Sequence, residues 1–408
     1  MYLSADCHIM EPEDLFTRHL PEVDKFRAPI FRRLPNGTKI VFSNGIPSAI
    51  SPEYVRPLNG GEETEFIGPD DVDGYLSDLA LDGVRGGLLH GNAGLKIFDI
   101  DDPEFALRCA RIYNDHVFRT YASEQLFPTA IIPLTDIKRA VDEIQRVAKL
   151  GFRALSLPMQ APPEGPYFSK RYDELWEAVS AVGLLPTMHV GSGIMRGSAG
   201  GDTARAGVGF LSSSGSTAWP TGHPDHSGAI VARRLMTGGF GGYGSPVLGT
   251  LPALLGAGVF ERFPSMHLLF VEVGARWLLN MMDTLDDAWY VGPGVKEVNR
   301  TFFRSDGSQV HQYLPDELNL QWPYPLKPSE YIRRQVHFTF QDDWIALRNR
   351  TLTGIEPLVW GNDYPHYEGT FPKSKEAVRA QAERAALTTE EQAAIFGGTL
   401  ARLLGMAQ

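Results

Sequence analysis

Four residues that could bind a metal ion are spread along the chain, each beside a short apolar run. Asp6 and His8 belong to YLSADCHIMEP, His189 to LLPTMHVGSG and Asp363 to PLVWGNDYPHYEG. Imidazole nitrogens and carboxylate oxygens together suit a borderline divalent ion such as zinc, whereas a larger share of oxygen favours manganese or iron. The four residues therefore predict one bound divalent metal ion, with zinc as the first choice and manganese or iron as the alternatives.

The first two of these residues are separated by one position in a segment with the pattern of a strand. Side chains alternate between the two faces of a strand, so Asp6 and His8 point to one face while Cys7 points to the other. An alternative is that Asp6 caps the following turn and His8 is a packed core histidine. The presence of two further candidate ligands at other apparent strand ends favours the metal interpretation.

These ligands must be brought together by the fold, and the sequence predicts how. Short apolar runs alternate with amphipathic helical segments, which indicates a parallel sheet with crossover helices. The predicted fold class is α/β, a (β/α)8 TIM-type barrel with long loop insertions, whose strands present their carboxyl ends at one rim. The predicted strands lie near residues 2–8, 84–90, 127–132, 152–157, 184–190, 267–272, 336–340 and 357–361.

The length of 408 residues is compatible with one decorated barrel, so residues 1–408 are predicted to form a single domain. Three stretches interrupt the alternation of strands and helices, at about 24–68, 190–250 and 291–335. The stretch 190–250 is rich in Gly and Ser and follows His189. It is expected to be a lid or an oligomer contact above the site, with plain disorder as the alternative.

The composition excludes several classes of function. Hydrophobic residues make up 43% and charged residues 21%, as in ordinary soluble proteins. A net charge of −11 disfavours nucleic acid or an anionic membrane as a partner. No run of 18 apolar residues and no signal-peptide pattern is present, and Cys7 and Cys109 make no disulfide framework. A cytoplasmic protein is expected.

Five sequence blocks carry a resemblance to a known family. They are Asp6-x-His8 with Glu11-Pro12, His189 at a strand end, FERFPSMHLLFVEVGARWL at 260–278, SEYIRRQVHFTFQDD at 329–343 and WGNDYPHYEGTFP at 360–372. In this order they resemble the amidohydrolase-related family typified by aminocarboxymuconate semialdehyde decarboxylase, within the metal-dependent amidohydrolase superfamily. The resemblance implies an eight-stranded barrel with one catalytic divalent ion at its mouth.

Carried over residue by residue, the resemblance assigns metal ligands to the first, fifth and eighth strands. Asp6 and His8 match the paired ligands of the first strand, His189 the ligand of the fifth, and Asp363 the carboxylate of the eighth. Family members often have His-x-His or Glu-x-His at the first pair. The shorter Asp6 is therefore a departure, and it is expected to bind the metal weakly or through water.

A second departure concerns the sixth strand, where the decarboxylases commonly carry a catalytic histidine. The corresponding residue here is Glu272, which could act as a general acid or base if burial raises its pKa. The alternative is a buried carboxylate paired with Arg276, four residues further on. The substitution leaves the type of reaction open.

Other residues are weaker candidates for the site. His226 is a candidate general acid, although histidines in a loop rich in Gly and Pro are often solvated. His366 and Glu11 are expected to support the ligands from behind. Arginine binds a carboxylate through two parallel hydrogen bonds. The candidates for contacts with an anionic substrate are His223, His90, Arg196 and Arg276.

The predicted ligands and the family resemblance are compatible with two enzymatic functions. The first is a metal-dependent lyase that decarboxylates a carboxylated aromatic or unsaturated acid, with Glu272 or His226 protonating the carbon. The second is a metal-dependent hydrolase of an amide, ester, lactone or carbon–carbon bond that uses metal-activated water, with Asp363 as the base. A third hypothesis, a barrel that has lost catalysis, is disfavoured by the retention of all four ligand types. The expected partner is a small anionic substrate, and the expected assembly is a homodimer or a higher homo-oligomer.

Overall fold

The computed structural model describes most of the chain. The described residues are 2–33, 39–43, 45–50, 72–162, 165–193, 245–289, 300–303, 306, 308–312, 322–366 and 369–406.

Eight parallel strands form one sheet in which neighbours along the sheet follow chain order. This arrangement confirms the predicted (β/α)8 barrel, and each observed strand coincides with a predicted apolar run. The strands are β1 (Tyr2–Ile9), β2 (Val84–Gly91), β3 (Leu126–Ile131), β4 (Ala154–Pro158), β5 (Leu185–His189), β6 (Leu268–Val271), β7 (Val336–Phe340) and β8 (Leu358–Trp360).

Helices separate the strands, and their ends follow local sequence signals. The side chain of Asp102 accepts hydrogen bonds from the backbone at the start of the helix Pro103–Tyr121, and Asp136 does the same at the helix Ile137–Leu150. Gly151 ends that second helix and Gly183 ends the helix Asp173–Val182 in the left-handed conformation, which glycine adopts without a steric penalty. The helices of eight or more described residues are α1 (Val72–Leu81), α2 (Pro103–Tyr121), α3 (Ile137–Leu150), α4 (Asp173–Val182), α5 (Ser245–Gly256), α6 (Leu278–Trp289), α7 (Pro328–Gln335) and α8 (Ser374–Ala385).

Shorter helices complete the described layer around the barrel. Thr388 begins one of them with a capping box, in which its hydroxyl accepts from Glu391 N and the Glu391 carboxylate accepts from Thr388 N. The short α-helices and 3-10 helices and one π-helical turn are Glu22–Arg27, Gly94–Asp99, Lys170–Tyr172, Val259–Arg262, Trp344–Arg348, Arg350–Thr353, Thr389–Ala393, Ala394–Gly398 and Thr399–Leu403.

The barrel closes where β1 meets the segment that follows β8. His8 N donates to Tyr364 O at 2.7 Å, and Asp363 N donates to Asp6 O at 2.7 Å. Close approach at this seam requires a glycine, because a Cβ at position 361 would overlap the Cβ of Asp6. The closure therefore brings two candidate ligands from opposite ends of the chain, Asp6 and Asp363, into direct backbone contact.

An irregularity in β1 decides which of its side chains face the barrel interior. The pairing of β1 with β2 shifts between Ser4 and Cys7, as it does at a β-bulge. Ala5 lies in the apolar cluster that fills the barrel, whereas Cys7 lies in the larger cluster that includes residues of the surrounding helices. The shift therefore changes the alternation, so that Asp6 and His8 face inward.

Two smaller antiparallel sheets lie outside the barrel sheet. Strands Ile30–Arg33, Lys39–Ser43 and Ile46–Ile50 form a three-stranded sheet within the predicted insertion 24–68, and Arg300–Phe303 pairs with Gln309–Gln312 within 291–335. Most of the predicted insertion 190–250 lies outside the described residues. Among the helices that the structure describes, none is long and apolar enough to cross a membrane.

Candidate metal centre

Three side chains from two strands converge on one point in the barrel. The Nε2 atoms of His8 and His189 are 3.2 Å apart. Asp6 Oδ1 lies 3.5 Å from His8 Nε2 and 3.6 Å from His189 Nε2. All three side chains are buried. The sequence predicted this convergence of β1 with the end of β5.

These separations match what a metal ion requires. Ligand atoms that lie about 2.0–2.2 Å from a tetrahedral ion are about 3.3–3.6 Å from one another. Within the described part of the chain, Asp6 Oδ1 is buried and accepts no hydrogen bond. A buried carboxylate oxygen of this kind is costly unless a cation or a donor satisfies it. The residues therefore fit a divalent ion.

Hydrogen bonding at the far side of the His189 ring explains why its Nε2 is available. The ring Nδ1 lies 2.8 Å from Val190 O, which can only accept, so Nδ1 carries the proton. In the neutral ring, Nε2 is then a bare lone pair directed at His8 and Asp6. A backbone carbonyl in this position is a common support for a metal-binding histidine.

The charge states of the β1 pair also suit metal binding. Burial and repulsion from His366 lower the pKa of His8 well below its ordinary value, so the imidazole is neutral at physiological pH. Burial alone would raise the pKa of Asp6, but the adjacent imidazoles of His189 and His8 hold it well below its usual range. A neutral imidazole and an ionised carboxylate are the forms that bind a metal.

Asp363 joins the cluster from the segment after β8. Its Oδ1 lies 3.3 Å from His8 Nε2, and Gln341 Nε2 donates to its Oδ2 at 3.0 Å. The backbone of Asp363 is in the left-handed region, with φ of 58°, a conformation that is uncommon for non-glycine residues and recurs at functional sites. Its carboxylate forms a second group of possible ligand atoms with His8 and His366.

Glu272 lies at the end of β6, beside this cluster. Its Oε2 is 3.7 Å from His189 Nε2, and its side chain is 13% exposed. Like Asp363 it is left-handed, with φ of 60°, and its N–H donates to Thr339 Oγ1 at 2.7 Å. Arg276, the alternative partner considered from the sequence, has its Nε 3.4 Å from Asp343 Oδ1. The carboxylate of Glu272 therefore lies beside the candidate ligand His189.

Polar contacts connect Asp363 to His366, Asn92 and, further from the cluster, Glu11. His366 Nδ1 lies 2.9 Å from Asp363 Oδ1, and its ring stacks on His8 with centroids 3.9 Å apart. Its Nε2 lies 2.9 Å from Asn92 Oδ1. The Glu11 carboxylate accepts the backbone N–H groups of residues 92, 93 and 94 at 3.0, 3.1 and 2.9 Å. Glu11 thus holds the loop that carries Asn92, which contacts His366.

The remaining candidates from the sequence have different positions. His90 is fully buried at the end of β2, with its ring centroid 5.2 Å from that of His189 and its Nε2 3.2 Å from Ala5 O. Burial, with some repulsion from His189, lowers the pKa of His90 to about 4. Three further candidates from the sequence lie outside the described part of the chain: Arg196, His223 and His226.

Three polar residues near the ligands were not identified from the sequence. Thr339 and Gln341 lie at the end of β7, and Asn92 follows β2. The only signal was their position, since each lies near the carboxyl end of a strand, where the barrel places its active sites. Neutral side chains at such positions are common, and for that reason the sequence alone did not single them out.

A barrel with buried histidines and carboxylates at one end is typical of metal-dependent enzymes, and comparison with known proteins identifies the family. The family model described as Amidohydrolase matches residues 92–406. The chain therefore belongs to the amidohydrolase family and is an enzyme of that superfamily, as the sequence blocks predicted. No curated protein matches the chain significantly.

Solved structures share the fold across nearly the whole chain, at low sequence identity. An amidohydrolase from Mycobacterium avium subsp. paratuberculosis K-10 is 15% identical, with a TM-score of 0.68, covering 100% of this chain and 98% of its own. The 5-carboxyvanillate decarboxylase from Sphingomonas paucimobilis is 18% identical, with a TM-score of 0.56 and coverages of 100% and 99%. A dihydroxybenzoic acid decarboxylase from Polaromonas sp. JS666, with bound manganese and the inhibitor 2-nitroresorcinol, is 15% identical, with a TM-score of 0.57 and coverages of 99% and 96%.

Proposed function

We propose that the protein is a metal-dependent lyase that decarboxylates a carboxylated aromatic or unsaturated acid. The observation that carries the proposal is the convergence of Asp6 Oδ1, His8 Nε2 and His189 Nε2 within 3.6 Å of one another. Family membership and the presence of two decarboxylases among the structures with the same fold support the choice of reaction.

Four residues would hold the ion: Asp6, His8, His189 and Asp363. A bound divalent ion supplies Lewis-acid stabilisation to the substrate carboxylate or to a neighbouring hydroxyl oxygen. Zinc suits the two imidazoles, and the two carboxylates also admit manganese or iron. The hydrogen bond that Gln341 Nε2 donates to Asp363 Oδ2 keeps this ligand oriented.

Glu272 is the proposed proton donor. As the bond between the carboxylate and the substrate carbon breaks, its electron pair remains on that carbon, which takes a proton from the protonated Glu272 carboxyl. Carbon dioxide leaves, and the ionised Glu272 is reprotonated from water. The position of the side chain supports this role, because its Oε2 lies 3.7 Å from His189 Nε2, beside the candidate ligands. His226 is the other candidate proton donor from the sequence, and it lies outside the described residues.

Hydrolysis of an amide, ester, lactone or carbon–carbon bond is the second candidate function. The observation in its favour is the pair of left-handed carboxylate residues, Asp363 and Glu272, at the mouth of the barrel. An ionised Asp363 would act as the base that removes a proton from the attacking water. In this reaction a water oxygen enters the product, whereas in decarboxylation it does not.

The proposed substrate is a small anionic molecule. Arg276 is the described candidate for its recognition, because 57% of its side chain is exposed while its Nε remains 3.4 Å from Asp343 Oδ1. His90 is a second candidate, since its Nδ1 is a buried atom without a hydrogen-bond partner among the described residues. A neutral His90 with its proton on Nε2 would accept a hydrogen bond from a substrate hydroxyl at Nδ1.

Metal analysis and a substrate panel test the proposal together. Purified protein should contain about one divalent ion per chain, and a chain that takes up no ion would rule out both reactions. Aromatic carboxylic acids, amides and lactones are then incubated in water labelled with heavy oxygen. Release of carbon dioxide without label in the other product identifies the lyase, and label in the product identifies the hydrolase.

A further inference from the structure

Strand β7 has no assigned ligand, yet it contacts both aspartates of the candidate metal centre. Thr339 and Gln341 are two positions apart at the end of this strand, so their side chains point to the same side. Thr339 Oγ1 lies 3.5 Å from Asp6 Oδ2, and Gln341 Nε2 lies 3.0 Å from Asp363 Oδ2. In each aspartate the contact is made by Oδ2 and not by Oδ1.

The direction of the Gln341 hydrogen bond follows from its chemistry. An ionised carboxylate can only accept, so the side-chain amide of Gln341 must present its NH2 group to Asp363 Oδ2. The backbone of Gln341 is also held, because its carbonyl accepts from Trp360 Nε1 at 3.1 Å and from Gln381 Nε2 at 2.9 Å. The other oxygen of Asp363, Oδ1, then lies 3.3 Å from His8 Nε2 and 2.9 Å from His366 Nδ1.

The direction of the Thr339 hydrogen bond is set by Glu272. The Glu272 backbone N–H donates to Thr339 Oγ1 at 2.7 Å, so that hydroxyl oxygen is an acceptor there. Its own proton is free to point to Asp6 Oδ2, the neighbouring acceptor. Asp6 Oδ1 faces the two imidazoles, at 3.5 Å from His8 Nε2 and 3.6 Å from His189 Nε2.

We infer that Thr339 and Gln341 are positioning residues that make both aspartates one-oxygen ligands. Each residue binds the Oδ2 atom of one carboxylate and leaves its Oδ1 atom directed at His8 Nε2, where the ion is proposed to bind. The inference rests on the proposed function, because it takes Asp6 and Asp363 as ligands of the ion.

The test uses variants that remove the donor and keep the size of the side chain. In Gln341→Met and Thr339→Val, the dissociation constants of zinc and cobalt(II), measured by competition with a chelator, should rise about 10–100-fold. The absorption spectrum of the cobalt(II) protein should also change, because an aspartate free to bind through both oxygens raises the coordination number. Thr339→Ser, which retains the hydroxyl, should restore both properties.

Gln335→Met is the matched control. Gln335 is a fully buried glutamine at the end of α7 whose Nε2 donates to Phe263 O and Met266 O, both at 2.8 Å. Its loss should lower the melting temperature and leave the metal affinity and the cobalt spectrum unchanged.

The outcomes separate the two proposals. A wild-type protein that takes up no ion contradicts the proposed function. A wild-type protein that binds the ion, with Gln341→Met and Thr339→Val of equal affinity and identical spectrum, overturns the positioning role alone. If one of the two variants does not fold, the other decides the question, since each acts on a different aspartate.

Discussion

His8 Nε2 and His189 Nε2 lie 3.2 Å apart, although 181 residues separate them in the chain. The Nδ1–H group of His189 donates to Val190 O, so Nε2 of His189 carries a lone pair. This lone pair faces His8 Nε2 and Asp6 Oδ1. Such a cluster of acceptors is stable only when a cation lies among them or when protons are added.

Removal of His189 tests whether this cluster holds the ion. His189→Ala should lose nearly all bound metal. Its metal affinity should fall by more than about 10–100-fold, which is the loss typical when a residue that hydrogen-bonds to a ligand is replaced. The measurement is elemental analysis of protein dialysed against a defined metal concentration. His19→Ala, at an exposed position outside the barrel sheet, is the control that should retain the ion. Metal retained in His189→Ala would exclude this residue as a ligand.

Glu272→Gln tests the proposed proton donor without changing the shape of the side chain. Because an amide cannot deliver a proton to carbon, kcat should fall about 10²–10⁴-fold while the metal content stays unchanged. Glu104→Gln, at a mostly exposed position on α2, serves as the control and should keep wild-type kcat. If Glu272→Gln lost metal together with activity, the residue would be a ligand and not an acid.

Gly361→Ala tests the seam that joins β1 to β8. The added Cβ would overlap the Cβ of Asp6, so the stability should fall by about 1–3 kcal/mol and the metal affinity should fall with it. Gly249→Ala in α5 is the matched control, because a Cβ there meets nothing within 4 Å. That change should stabilise the protein by about 0.5–1 kcal/mol. Urea denaturation and chelator competition measure the two effects.

His337, at the start of β7, predicts how stability depends on pH. Burial, together with repulsion from His267, lowers its pKa from 6.5 to about 3. Between these values the unfolded chain holds one more proton than the folded chain. The free energy of unfolding should therefore fall as the pH is lowered from 6.5 towards 3, by about 1.4 kcal/mol per pH unit from this residue.

Comparison with His337→Asn isolates this contribution from those of other groups. Urea denaturation of chelator-treated protein between pH 4 and 7 should show a shallower loss of stability in the variant than in the wild type. The neighbours His267 and Arg402 remain in both proteins, so their charges do not account for the difference. Parallel pH profiles for the two proteins would show that His337 does not resist protonation in the folded state.

The sequence by itself determined the barrel and most of the candidate metal centre. The eight strands could be predicted because buried parallel strands are short apolar runs between amphipathic helices, and that signal is local. Asp6, His8, His189 and Asp363 could be proposed as ligands for the same reason, since each lies at or near the carboxyl end of such a run, and their role as ligands is still a prediction. Residues of the stretch 190–250 carry no comparable periodicity, and the candidates His223 and His226 remain predictions.

Only the tertiary structure decided how these residues face one another. Strict alternation would place Ala5 and Cys7 on one face of β1, but the register shift between Ser4 and Cys7 turns Ala5, Asp6 and His8 towards the interior. A bulge depends on pairing with the neighbouring strand, which no local pattern encodes.

The polar contacts of β7 depend on tertiary structure as well. Thr339 and Gln341 are relevant to the site because they contact Asp6 and Asp363, which lie 333 and 22 residues away along the chain. The types and spacing of residues thus determine which groups are available for chemistry. Barrel closure decides which atom of each group faces the site, because that depends on contacts between strands distant in sequence.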